Sequence, residues 1–292
     1  MKKVEINGVE LEYEVFGSGE PVLLINPVLA DGLLPLVSRP ALADRYRLIH
    51  YHKRGWARST HTPAPVSIAD HAADAASLLA HLGVPRAHVV GHSSGAAVAA
   101  QLALDAPERV HALILLELTL FSVPSGEALL REAGPAIEAF GRGDHESAVA
   151  LFLSAVSGLE WPACRALLDE RLPGAAAGAV ADADTLFAVE LPAVAGWVLG
   201  PERAAAIASP VLSVTGSRTG PLWVEVADFL RRSLSDAEHS TIDGVGHLLQ
   251  IERPDPVARE IARFLDANPM LGALRSGALP AGVDRGAARR AS

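Results

Sequence analysis

The pattern of apolar and polar positions changes character along the chain. Between residues 4 and 15, apolar and charged residues alternate on either side of Asn7-Gly8. That predicts an antiparallel hairpin with one wet face. Short unbroken apolar runs follow at 22–25, 48–49, 88–90, 112–116 and 211–214. Bounded by Gly, Pro or polar residues, they fit strands buried on both faces. Helical patterns lie between them: 67–82, opening on a Ser cap and ending before Gly83; 95–106, stopping at Pro107; and the amphipathic 256–267. Strand and helix in alternation predict an α/β fold, a doubly wound and mostly parallel sheet. Residues 119 to about 205 break the alternation, with helical stretches at 126–140, 145–157, 161–172 and 182–199 and no clear strand. The predicted organisation is a core of 1–118 and 206–268, a helical insertion at 119–205, and a flexible Gly-, Ala- and Arg-rich tail at 269–292.

Composition narrows the class. Half of the 292 residues are apolar and one fifth are charged, so the chain can bury a sizeable core and is not disordered throughout. A net charge of −9 disfavours polyanions, so no nucleic-acid partner is expected. The one cysteine, Cys164, allows no intrachain disulfide, which suits a reducing compartment. The N-terminal pattern is not that of a signal peptide, and no apolar run approaches the roughly 18 residues of a span. A cytoplasmic protein without a membrane partner is expected. No metal-ligand cluster, P-loop or dinucleotide fingerprint occurs, so neither metal nor cofactor is expected. Assembly into a homo-oligomer stays open.

The strongest chemical signal is Gly91-His92-Ser93-Ser94-Gly95, a G-x-S-x-G between a predicted strand and a predicted helix. A sharp strand-to-helix turn lifts the Ser93 hydroxyl out of the sheet, and flanking glycines remove side chains that would clash there. The N-terminus of the following helix favours developing negative charge. Serine needs a base. Of eleven histidines, His247 in Gly244-Val245-Gly246-His247 lies on a glycine-lined loop after a strand-like stretch. His50 and His52, ending another strand, are second-rank candidates.

With GHSSG at 91–95, RVHALILLE at 109–117, PVLSVTG at 210–216 and GVGHLLQIERPDPVA at 244–258, the chain resembles the α/β-hydrolase superfamily over about residues 1–267, in its helical-cap, esterase- and lactonase-like serine hydrolase branch. The resemblance implies the chain order Ser, acid, His. Members usually carry an Asp where this chain has Thr219, and no carboxylate occurs from Val211 to Trp223. A second placement known in the superfamily, the end of the strand after the nucleophile helix, falls on Glu117. A carboxylate ending an apolar strand is costly to bury unpaired, and the His247 N–H is a suitable partner. HSSGA at 92–96 and LELT at 116–119 are similar to elements of zearalenone-type lactonases. The usual His-Gly of the oxyanion loop is replaced by Asn26-Pro27-Val28, which leaves the backbone N–H groups of Val28 and Ser94 as donors. In HKRGWARS at 52–59, His52 replaces the family's Asp. His92, Trp161, Trp197 and Trp223 are candidates for lining the pocket, against a core role for the tryptophans.

The resemblance implies a serine hydrolase acting on a carboxylic ester or lactone of a small to medium hydrophobic substrate through an acyl-enzyme on Ser93. The alternatives are C–C or amide hydrolysis, perhydrolysis, or a non-catalytic ligand-binding member of the fold. Activity is expected to rise through a pKa of roughly 6 to 7 as His247 loses its proton.

Overall fold

The computed structural model describes residues 1–270. Its eight strands are β1 (Lys2–Ile6), β2 (Val9–Phe16), β3 (Glu20–Ile25), β4 (Tyr46–Tyr51), β5 (Ala87–His92), β6 (Val110–Leu116), β7 (Val211–Gly216) and β8 (Glu238–Ile242). They form one sheet in the order β1-β2-β4-β3-β5-β6-β7-β8. Only the β1–β2 and β2–β4 pairings are antiparallel. The expected hairpin is present: Asn7 and Gly8 both have positive φ, 50° and 75°, as a tight two-residue turn requires.

The unbroken apolar runs are explained by two helical layers. Leu23, Val89, Leu113 and Leu115 face one core with the helices Ile68–His81 and Ser94–Asp105. Val22, Leu24, Val90, Ile114 and Leu116 face the other, against Pro254–Ala267. A strand covered on both sides favours apolar side chains at most of its positions. The helix Ile68–His81 starts as its sequence suggests, with a capping box between Ser67 and Asp70. The Ala-rich helix Ser94–Asp105 is buried along most of its length, and its small side chains let it sit close to β5 and β6.

Among the described residues, those between β6 and β7 contain no strand. They form the helices Pro124–Glu132, Gly134–Gly141, His145–Ser157, Trp161–Arg171 and Ala175–Ala181, a π-helical turn Thr185–Glu190, and the helices Leu191–Ala195 and Pro201–Ala205. The stretch expected as one helix at 126–140 is broken at Ala133, before Gly134-Pro135, where proline lacks an N–H for the helical ladder. The stretch expected at 182–199 is π-helical, then α-helical, and its last α-helical residue is Ala195. Ala175–Ala181 was not legible, because AAAGAVA carries no apolar period. No single helix among the described residues is long and apolar enough to cross a membrane. Of the expected flexible tail, Pro269 and Met270 are bonded to the body of the fold, through His111 Nε2 and Glu20 Oε1. The remainder, 271–292, lies outside the described residues.

Close approach at one glycine gives a stability prediction. A Cβ on Gly95 would run into the backbone carbonyls of Ile25 and Asn26, whereas Gly178, within a helix, faces open space. Gly95→Ala should destabilise by about 3 kcal/mol or more, and Gly178→Ala should stabilise by about 0.5–1 kcal/mol. Thermal melts of the two variants beside the parent check both signs.

Candidate active site

Ser93 joins β5 to the helix Ser94–Asp105 with φ 56° and ψ −121°. Gly91 and Gly95 make this turn possible: a Cβ on Gly91 would strike the Gly95 carbonyl. The Ser93 N–H donates to the Leu116 carbonyl at 3.0 Å, so the turn is held against the end of β6. The next residue on that strand is Glu117, also in a left-handed conformation at φ 49°, with its N–H donating to Val214 O at 2.9 Å. The two strained residues thus lie at the ends of adjacent, paired strands.

His247 arrives on the loop after β8. Its Nε2 is 3.0 Å from Ser93 Oγ and its Nδ1 is 3.2 Å from Glu117 Oε2. The structure therefore brings Ser93, His247 and Glu117 into one relay. Thr219, at the position where the acid is usually found, donates its hydroxyl to Glu117 Oε2 at 2.5 Å, and the Gly216 N–H donates to Oε1 at 2.6 Å.

Burial sets the electrostatics. It pushes the Glu117 carboxyl above the usual carboxylate range, while the Thr219 hydroxyl and Gly216 N–H pull it back. Three donors around one carboxylate are the surroundings of its ionised form. Burial lowers the His247 imidazole to about 3, so the ring is a neutral, proton-accepting base over a wide range. Trp223 stacks on it with ring centroids 3.8 Å apart, where the indole face can stabilise a positive charge forming on the imidazole. The His247 backbone is held as well. His92 Nε2 is 2.9 Å from its carbonyl, and Gln250 Nε2 is 3.1 Å from His92 Nδ1, so His92 donates through Nε2 and accepts through Nδ1.

A small, mainly apolar cavity opens over Ser93. His92 and Trp223, two of the candidates for lining, face it together with Val28 and Ser94. Ser94 is the first residue of its helix, so its N–H has no intrahelical acceptor. Two expected lining residues are elsewhere. Trp161, at the start of its helix, packs beside Glu146, Arg165 and Ala176 on the insertion. Trp197 is buried against the helix Ser94–Asp105, its indole N–H donating to Gln101 Oε1 at 2.9 Å. Trp197 is a core tryptophan, and Trp161 is half-buried against the core of the insertion. His50 and His52 are also away from Ser93. His52 lies between Glu12 (Nδ1, 3.1 Å) and Asp31 (Nε2, 2.9 Å) and ties the loop carrying Val28 to the sheet. Burial opposes its protonation, but the two carboxylates outweigh that and raise its pKa. Asp31, His50 and His52 are a set of metal-type donors within 4.8 Å that the sequence pattern did not suggest. The Asn26 amide, 3.0 Å from His50 Nε2, already occupies that lone pair.

Sequence reasoning missed Thr119, whose hydroxyl is 3.1 Å from Ser93 Oγ and accepts from the Trp223 indole at 3.3 Å. It also missed Glu190, which lines the cavity among apolar residues. A signal existed: Glu190 is a lone carboxylate inside the apolar stretch LFAVELPAV.

This arrangement of sheet, elbow and relay is that of an α/β hydrolase, and residues 21–254 match the family model of the alpha/beta hydrolase fold. The chain belongs to that family. Among curated proteins it is similar to RutD of Azorhizobium caulinodans, named as a carbamate hydrolase, at 38% identity over 107 residues, 37% of this chain and 40% of that one. It also resembles the dihydrolipoyllysine-residue acetyltransferase component of an acetoin cleaving system from Cupriavidus necator, at 36% identity over 38% of this chain and 30% of that one. The match thus spans well under half the length of these curated relatives. Among solved structures it resembles Est816, described as an N-acyl homoserine lactone degrading enzyme (27% identity, TM-score 0.67, 90% of this chain and 99% of that one). A thermophilic esterase from Thermogutta terrifontis shares the fold (22% identity, TM-score 0.77, 91% and 99%).

Two outcomes follow from this geometry. Glu117→Gln should cut turnover by roughly 10²- to 10⁴-fold with little change in melting temperature, because it removes the negative charge that balances the imidazolium and lets the amide favour the wrong imidazole tautomer; steady-state rates and a thermal melt check it. A base must be neutral to act, so a depressed His247 pKa carries activity to lower pH. The acid limb of kcat/KM should therefore lie below pH 6, under the 6 to 7 of an ordinary histidine. A pH–rate profile taken with near-UV circular dichroism reads it.

Proposed function

We propose that this chain is a serine hydrolase that cleaves a carboxylic ester or lactone of a small to medium hydrophobic substrate through an acyl-enzyme on Ser93. One observation carries this: the Ser93–His247–Glu117 relay, with its 3.0 Å and 3.2 Å steps, opens into a cavity walled by apolar side chains. His247 Nε2 takes the Ser93 proton as Oγ attacks the carbonyl carbon. Glu117 accepts from Nδ1 and stabilises the imidazolium. The backbone N–H groups of Val28 and Ser94 receive the oxyanion, with the helix N-terminus behind Ser94 adding to the field. His247 then protonates the leaving alcohol, which in a lactone stays attached to the acyl group, and next activates water to release the acid.

The helices between β6 and β7 act as a cap. Leu129, Phe152, Val156, Leu191 and Val194 supply the apolar wall, which suits a hydrocarbon acyl or alkyl group and excludes water from the reacting carbonyl. The likeness to Est816 supports the lactone side of the reading.

The expected result with a fluorophosphonate probe is rapid labelling at Ser93, absent in Ser93→Ala and strongly slowed in His247→Ala. Unlabelled wild type should hydrolyse p-nitrophenyl esters or N-acyl lactones. A folded wild-type protein that neither labels nor turns over either series would overturn the proposal.

A further inference from the structure

The helical insertion meets the sheet through a buried charge network that lies against Ser93. Glu190 is the last residue of the π-helical turn Thr185–Glu190, an irregularity found mostly at functional sites. It is fully buried and lines the same cavity as Ser93 and Ser94. Its Oε1 accepts from Ser94 Oγ at 2.6 Å and contacts Lys53 Nζ. Its Oε2 accepts from the Trp56 indole at 3.3 Å and lies 3.4 Å from His71 Nε2. Lys53 is equally enclosed, its Nζ 3.5 Å from Ser94 Oγ and 5.6 Å from the centre of the Trp56 ring.

A carboxylate in that position is a hazard for acyl transfer. The charge that develops in the transition state is negative and is received beside Ser94. An unbalanced negative charge one hydrogen bond from the Ser94 hydroxyl would raise the barrier, and the enclosed site screens it weakly. Yet the same carboxylate orients Ser94 from the insertion side. We propose that Lys53 is a positioning residue for the reaction: it neutralises Glu190, so that Glu190 can hold Ser94 without opposing the oxyanion. This rests on the reading of Ser93 as nucleophile.

Charge balance and simple anchoring predict different things. If the pair were only an anchor, an unpaired charge would lower the melting temperature and the fraction of protein that labels, while the labelled fraction would turn over as wild type does at every pH. If Lys53 acts by balancing charge, removing it alone is the worst change, because it leaves a buried carboxylate with no partner. Replacing both leaves a neutral pocket with an amide still able to accept from Ser94. The single variant also acquires a pH signature. At low pH Glu190 holds a proton and is harmless; as pH rises it ionises and kcat falls. The titratable groups facing Glu190 are Lys53 and His71, with Tyr51 next to them, Asp74 beyond in its pair with Arg54, and His247 across the cavity.

The test uses the full-length chain. Wild type, Lys53→Met, Glu190→Gln and the double variant Lys53→Met/Glu190→Gln are first labelled at Ser93 with the fluorophosphonate. The kcat and KM for a p-nitrophenyl ester are then measured from pH 5 to 9. The expected result is a loss in Lys53→Met on the order of a hundredfold in kcat at alkaline pH. The loss shrinks toward acid, KM changes little, and the double variant recovers at least about tenfold of it. Should Lys53→Met not fold, the double variant staying within about threefold of Glu190→Gln in kcat supports the proposal, and a further loss of about tenfold or more overturns it. A double variant no better than a folded Lys53→Met, or a Lys53→Met profile parallel to wild type in pH, also overturns it. If wild type fails to label, the nucleophile reading and this inference fall together; if it labels and the pattern is absent, only this inference falls.

Discussion

The backbone at Ser93 adopts a conformation that costs a non-glycine residue on the order of 1–3 kcal/mol, and it persists only because its surroundings over-determine it. The β5–β6 ladder, the Ser93 N–H bond to Leu116, and the contact of Gly91 with the chain at Gly95 together leave no other path. Much else depends on that turn. It raises the hydroxyl toward His247, aims a helix N-terminus at the same point, and exposes the Ser94 amide to the cavity. A relaxed turn would keep the sheet and lose the alignment of all three.

The fold was largely legible in the sequence because its signals are local. The hairpin rests on Asn7-Gly8, the buried strands on runs such as Val22 to Ile25, and the elbow on five consecutive residues. Ser93 and Glu117 stood out because each follows an apolar strand, where a polar residue is conspicuous, and His247 because it sits on a glycine-lined loop after a short strand. The tryptophans were harder. Trp161 and Trp223 both start or nearly start helices, and nothing in their neighbours says that one stacks on His247 while the other faces the insertion. The Lys53–Glu190 contact joins residues 137 apart in the chain. Only three-dimensional packing creates it, although each partner is conspicuous as a charge in its own segment.

The insertion is docked by specific polar groups as well as by apolar area. Asp182 accepts from the Ala57 N–H, Thr185 donates to the Gly55 carbonyl, and Glu190 meets Lys53 and the Trp56 indole. All three residues of the insertion reach the same short loop after β4. Apolar contact alone tolerates sliding, because it has no preferred direction. Buried hydrogen bonds and ion pairs do not tolerate it, since a misplaced partner is left desolvated and unmatched. The roof of the cavity is therefore registered on the loop that also carries Lys53.

Placing the acid on β6 divides the relay unequally between rigid and adaptable parts. Ser93 and Glu117 stand on neighbouring rungs of the ladder, so the distance between them is a property of the sheet. The end of β7 and the loop after it then have two duties toward the acid, one amide at Gly216 and one hydroxyl at Thr219. The loop's other bonds, from Ser217 and Arg218, run to Ile242, Asp243, Gly244 and Val245 on the segment that leads to His247. A change of side chain at 217 or 218 therefore leaves the Glu117 carboxylate where it is, because the strand and not the loop carries it.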